Sequence, residues 1–141
     1  MAEPRSQTGA YLVALTPESS DAIRAREINI PHLPFRVGRE SRRFRWTELG
    51  LVGERRRAAP PNNDLYLADE TEPMNVSREH FLISREGPAF YLLDRGSRCG
   101  TIVEGEVYGA GGEPRANLAD HHVIIVGTSL SRYIFKFRLE V

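Results

Sequence analysis

The sequence predicts an all-β fold, a sandwich or barrel of short strands. Three observations carry that reading. Short apolar stretches separated by turn residues run almost from end to end, the last stretch alternates with period two over its whole length, and helical periodicity is weak everywhere. The 141 residues are 40% hydrophobic and 27% charged, which suits one packed domain and argues against wholesale disorder.

Ala10-Tyr11-Leu12-Val13-Ala14-Leu15 is the first strand candidate, ended by Thr16-Pro17. Ser19 to Glu27 has room for a turn of helix but reads more easily as a loop. Ile28 and Ile30 alternate with polar residues before Pro31, Phe35 and Val37 do so before Gly38, and Leu65 and Leu67 after Asn62-Asn63-Asp64. Phe81-Leu82-Ile83, Ala89 to Leu93, Thr101 to Val103 and Val123 to Val126 are further runs. In the last segment Tyr133, Phe135, Phe137, Leu139 and Val141 face one way, and Ile134, Lys136, Arg138 and Glu140 the other, as in a half-buried strand. Residues 1–9 read as a tail and 10–141 as the domain, with no internal repeat.

Residues 41–61 break the rhythm. They hold six arginines (42, 43, 45, 55, 56, 57) against two glutamates (48, 54), a local charge of +4, and end in Pro60-Pro61. A loop this long in a compact domain is usually functional or disordered. Across the whole chain the net charge is zero, which argues against a whole-surface nucleic-acid binder. Lys136 is the only lysine, so nearly all cationic groups are guanidinium forks, suited to carboxylates and phosphates. GC-rich coding accounts for the same bias equally well. Cys99 is the single cysteine, no membrane span is present, and Met1-Ala2-Glu3-Pro4-Arg5 lacks the apolar run of a signal peptide, so a cytoplasmic location is expected.

Three pieces fall at strand boundaries: Val37-Gly38-Arg39; Asn63-Asp64-Leu65 leading to Val76-Ser77-Arg78-Glu79-His80; and Leu93-Asp94-Arg95-Gly96-Ser97-Arg98-Cys99-Gly100-Thr101. Loops at one end of a sandwich gather such pieces into a site on a rigid base. In this order they resemble the forkhead-associated (FHA) domain family, and Gly127 followed by an aromatic strand fits as well. The resemblance covers roughly residues 10–141. It implies a two-sheet antiparallel β-sandwich whose end loops bind phosphothreonine peptides, with no catalysis and no cofactor.

Carried over by position, the resemblance assigns Arg39, Ser77, Arg78, Arg98 and Cys99 to the phosphopeptide, and Gly38, His80, Gly100 and Thr101 to support of the site. Arg42, Arg43, Arg55, Arg56 and Arg57 are candidates for secondary contacts. An arginine, a hydroxyl and a backbone N–H form the donor set a phosphate demands. Three departures from the family pattern stand out. Cys99 replaces an asparagine that holds the ligand backbone, Arg98 replaces a small or hydroxylated residue, and His121-His122 stand where Gly-Asp is usual.

The expected partner is a phosphothreonine-bearing protein, a Ser/Thr kinase or its substrate. Two alternatives remain open: a degenerate domain that binds protein without phosphate, favoured by Cys99, and nucleic-acid binding through residues 42–57. Ser77, His80 and Asp94 supply the residue types of a hydrolase triad, but Gly-x-Ser-x-Gly is lacking, and Asp94 reads as bonding its own turn. Asp120-His121-His122 suggests a metal superficially, yet adjacent histidines in a strand point to opposite faces, so no metal is expected.

Overall fold

A computed structural model of the chain describes residues 8–40 and 61–140. The stretch Arg42 to Arg57, with its candidate secondary contacts, lies outside the described residues. Eleven strands and one helix occupy the described chain: β1 (Ala10–Ala14), α1 (Pro17–Ile23), β2 (Glu27–Asn29), β3 (Phe35–Arg39), β4 (Leu65–Leu67), β5 (Phe81–Glu86), β6 (Ala89–Asp94), β7 (Thr101–Val103), β8 (Glu106–Tyr108), β9 (Arg115–Leu118), β10 (Val123–Val126) and β11 (Ile134–Leu139). They form two sheets, ordered β2-β1-β11-β10-β7-β8 and β4-β3-β5-β6-β9.

The alternation read in the sequence becomes burial. Leu12, Phe135, Phe137 and Ile124 of one sheet and Val37, Phe81, Ile83 and Leu92 of the other have no exposed surface. The Phe90 and Phe137 rings meet between the sheets at 5.3 Å, inclined by 58°. Burying a side chain of this size contributes about 1.5–3 kcal/mol, so these inward faces hold the layers together.

Three expectations need correction. The sandwich is not wholly antiparallel, because β3 pairs parallel to β4 with Arg39 opposite Leu67. Parallel neighbours require a long crossover, and the chain between them spares residues 40–64 for it. The segment read as a loop begins with the helix α1: Thr16 is the N-cap, its hydroxyl accepting from the Ser19 N–H, Pro17 opens the helix, and Arg24 closes it at φ 56°. His121 does not lie in a strand but in a turn at φ 71°. In that turn its ring pairs with Asp120 at 3.2 Å, while His122 Nδ1 accepts the Ala119 N–H. Strands β8 and β9 were not anticipated at all; β8 is short and largely exposed, and β9 is four residues long with only Ala116 and Leu118 buried.

Register decides where the loops lie. Val37 stands opposite Phe81, Phe81 opposite Asp94, Val126 opposite Thr101 and Ala14 opposite Phe135. The outgoing ends of β1, β3, β6 and β10 and the incoming ends of β5, β7 and β11 therefore share one end of the sandwich. Arg39, Ser77, Arg78, Arg98 and Cys99 all sit on loops or strand tips at that end.

Candidate functional site

The centre of the site is a buried histidine. His80 has no exposed surface, and its backbone N–H is tied to the Val37 carbonyl. Its Nδ1 accepts the Ser77 N–H at 2.9 Å, and its Nε2 lies 2.8 Å from the Gly100 carbonyl. Both bonds are made at once only by the neutral Nε2–H tautomer. Burial pushes the His80 pKa below its ordinary value, against the bond to Gly100 and the carboxylates of Asp94 and Asp69. One ring thus pins the loop carrying Ser77 to the loop carrying Arg98 and Cys99.

Ser77 and its neighbours converge from three elements. The Arg39 N–H donates to the Ser77 carbonyl, and the Arg98 N–H donates to Ser77 Oγ at 3.0 Å. A hydroxyl that accepts from Arg98 keeps its own proton free to donate outward. The Arg39 guanidinium reaches the Val76 carbonyl through Nη1 at 3.2 Å, and its Nε is buried without an acceptor. Arg78 and Arg98 are exposed, and Cys99 is half-buried with Sγ 3.8 Å from the Met74 carbonyl.

Gly38 allows this convergence. A Cβ there would stand 2.1 Å from the Arg78 carbonyl oxygen. Gly100 at φ +80° turns the third loop, and Thr101, fully buried, donates through Oγ1 to Asp94. Asp94 also accepts from the Gly96 and Ser97 N–H groups and from the Ser97 hydroxyl. It organises its own turn, as its place in the sequence suggested, and is not set as the third member of a triad.

Other framework residues were quoted in the motif without a role, or missed. Asn63 donates to the Arg78 carbonyl at 2.7 Å and accepts from Arg95 at 2.7 Å, so it supports the loop beneath Gly38. Asp64 takes a paired contact from Arg36 at 3.0 and 3.2 Å. Burial pushes the Asp64 carboxyl up, but the bonds from Arg36 prevail and hold it below the usual carboxylate range. Asp69 gathers the N–H groups of Thr71, Asn75 and Val76 and the Thr71 hydroxyl, shaping the stretch that delivers Ser77. Its carboxyl too lies below the usual range, as these bonds outweigh the opposing effect of burial. The Asp-x-Thr spelling of an Asx-turn was the available signal.

The described residues thus define a β-sandwich domain with a guanidinium-bearing loop site at one end. A sequence model of the FHA domain matches residues 35–132, and the chain belongs to that family. The solved FHA domain of the CT664 protein from Chlamydia trachomatis is similar in fold, at TM-score 0.59 and 19% identity, covering 94% of this chain and 98% of that one. An FHA domain of a hypothetical protein from Arabidopsis thaliana matches at TM-score 0.60 and 18% identity, covering 100% and 95%. EmbR of Mycobacterium tuberculosis, solved in complex with a low-affinity phosphopeptide, matches at TM-score 0.59 and 20% identity; the match covers 94% of this chain but only 24% of EmbR. No curated protein matches the sequence. No helix among the described residues is long and apolar enough to cross a membrane.

Proposed function

We propose that the domain binds phosphothreonine-containing segments of partner proteins through Arg39, Ser77, Arg78 and Arg98, without catalysing a reaction. The observation that carries this reading is the meeting of three donors. The under-satisfied Arg39 guanidinium, the free proton of Ser77 and the exposed Arg98 side chain lie on loops stapled together by His80. Each charge-assisted hydrogen bond nets roughly 1.5–3 kcal/mol, so three supply much of the about 8 kcal/mol of a micromolar complex. That EmbR was solved with a phosphopeptide supports the same reading.

Phosphothreonine is the proposed ligand over phosphoserine because a bound methyl adds about 0.8 kcal/mol, roughly fourfold in affinity. A kinase or kinase substrate in the cytoplasm is the partner class this implies. The test is a titration of the domain with one peptide in three forms, bearing phosphothreonine, phosphoserine and unmodified threonine. Binding should fall in that order and be abolished in the last. Equal binding of phosphorylated and plain peptide would favour the phosphate-independent alternative.

A further inference from the structure

Three guanidiniums flank Ser77, more charge than one phosphate neutralises. Arg39 enters from β3, Arg78 from the loop before β5, and Arg98 from the loop between β6 and β7. Arg36, Arg95, Arg115, Arg132 and Arg138 each stand within 4.0 Å of a carboxylate. Arg39, Arg78 and Arg98 have no such partner among the described residues. The acids nearest in the chain are turned elsewhere. Glu79 faces Arg95 at 3.6 Å, Asp94 and Asp69 are committed to their own loops, and Glu40 lines a groove beside α1 with Glu18 and Asp21. A bound phosphate brings about −1.5 to −2 charges, so three guanidiniums would leave a surplus of about +1 or more.

The three are not equivalent. Arg39 is the inner group, held through Nη1 to the Val76 carbonyl at 3.2 Å, with its buried Nε lacking an acceptor. Arg98 is an outer group. Its N–H donates to Ser77 Oγ at 3.0 Å, which fixes its backbone against the hydroxyl, while its side chain is exposed. Arg78 is the other outer group: its carbonyl accepts from Asn63 at 2.7 Å, and its side chain too is exposed. A guanidinium has five donors, more than one edge of a phosphate takes up, so Arg98 has donors left for a neighbouring acceptor.

We infer, resting on the phosphothreonine reading above, that the site selects segments carrying a second anionic group, a carboxylate or a further phosphate, beside the phosphothreonine, and that Arg98, with Arg78, reads that group. Arg39 and Ser77 hold the first phosphate, and the two outer arginines meet the charge next to it.

The probes are phosphothreonine peptides in an alanine background. The residues on either side of the phosphothreonine are asparagine in the first, aspartate in the second, and a further phosphothreonine on one side in the third. Each is titrated into the full chain by calorimetry. The aspartate peptide should bind about fivefold more tightly than its neutral asparagine counterpart, the scale of exposed guanidinium–carboxylate contacts. The doubly phosphorylated peptide should gain about tenfold or more. Both gains should shrink below about twofold near 1 M salt, where screening acts over about 3 Å. Arg98→Gln should shrink them at low salt as well, while Arg85→Gln, at the other end of β5, should leave them unchanged. Both side chains are exposed, so neither change threatens the fold. Equal affinity for the aspartate and asparagine peptides, or a ratio that survives Arg98→Gln, would overturn the inference. So would loss of the ratio when Arg55, Arg56 and Arg57 are replaced by serine and Arg98 is kept. Phosphopeptide binding without discrimination would leave the phosphothreonine reading standing and remove only the second anion; no binding of any of the peptides would remove both.

Discussion

Acid should loosen the site through His80 before it touches any carboxylate. The folded chain holds this ring neutral, with Nδ1 facing the Ser77 N–H at 2.9 Å. Protonation would place a second N–H against that donor, on a ring with no exposed surface. In the unfolded chain the same ring titrates near its ordinary pKa of about 6.5. The folded pKa is depressed by burial, so between the two values the unfolded state binds a proton that the folded state refuses. The contribution to stability is thus fully present above pH ~6.5 and is lost as pH falls toward the folded value. One such proton gives a slope of up to about 1.4 kcal/mol per pH unit. Urea unfolding from pH 8 to pH 4.5, on the parent and on His80→Gln, isolates it. The variant loses about 1–3 kcal/mol at pH 8, because glutamine does not serve Ser77 and Gly100 with the same geometry. Its stability should be flatter with pH by the slope assigned to His80. His32, His121 and His122 remain in both proteins and cancel. Parallel slopes in the two proteins would refute the argument. Stability is a cleaner readout here than affinity, since a phosphate also changes charge near pH 6.

Below pH ~3.9 a second loss should follow, because Asp64 and Asp69 are held below their ordinary range in the fold; their contribution is present above the unfolded value and disappears as pH falls through the folded one. Double replacement by asparagine should remove that lower limb of the unfolding curve. Gly38→Ala should destabilise by at least about 3 kcal/mol in thermal melts, since its Cβ would meet backbone at 2.1 Å, whereas Gly96→Ala, with open space around it but φ +84°, should cost about 1–2 kcal/mol. In phosphopeptide titrations Arg39→Ala should weaken binding at least about 30-fold, and Arg98→Ala, on an exposed side chain, by less. Cys99→Asn should strengthen binding by supplying an amide donor and acceptor to the peptide backbone.

Much of the fold was legible because the strands that matter are amphipathic. Leu12, Ile83, Phe135 and Phe137 are each buried between half-buried neighbours. Where the pattern is two or three residues long, it carries too little signal. Glu106-Val107-Tyr108 is mostly exposed and reads as loop, although it pairs with β7 through Val103 to Thr101. α1 is a single capped segment of 7 residues, held by Thr16 and by its packing, and has too few turns to display a period of 3.6. The parallel β3–β4 pair is a property of topology, and no local spelling distinguishes it from an antiparallel one.

The site divides along a different line. Gly38, His80, Gly100 and Asp94 are constrained by backbone atoms in their own or adjoining loops, and such constraints allow few residue types. A Cβ at position 38 has no room, and only imidazole both accepts at Ser77 and donates at Gly100 across one small ring. These demands write themselves into the sequence as short fixed spellings, which is why the spellings were readable. Tyr133 was read only as one inward-facing residue of the last strand. Its alternation partner Phe135 looks the same in that pattern, yet Phe135 sits fully in the core while Tyr133 borders carboxylates from α1 and from the segments that follow β3 and β4. Nothing within the strand marks that difference.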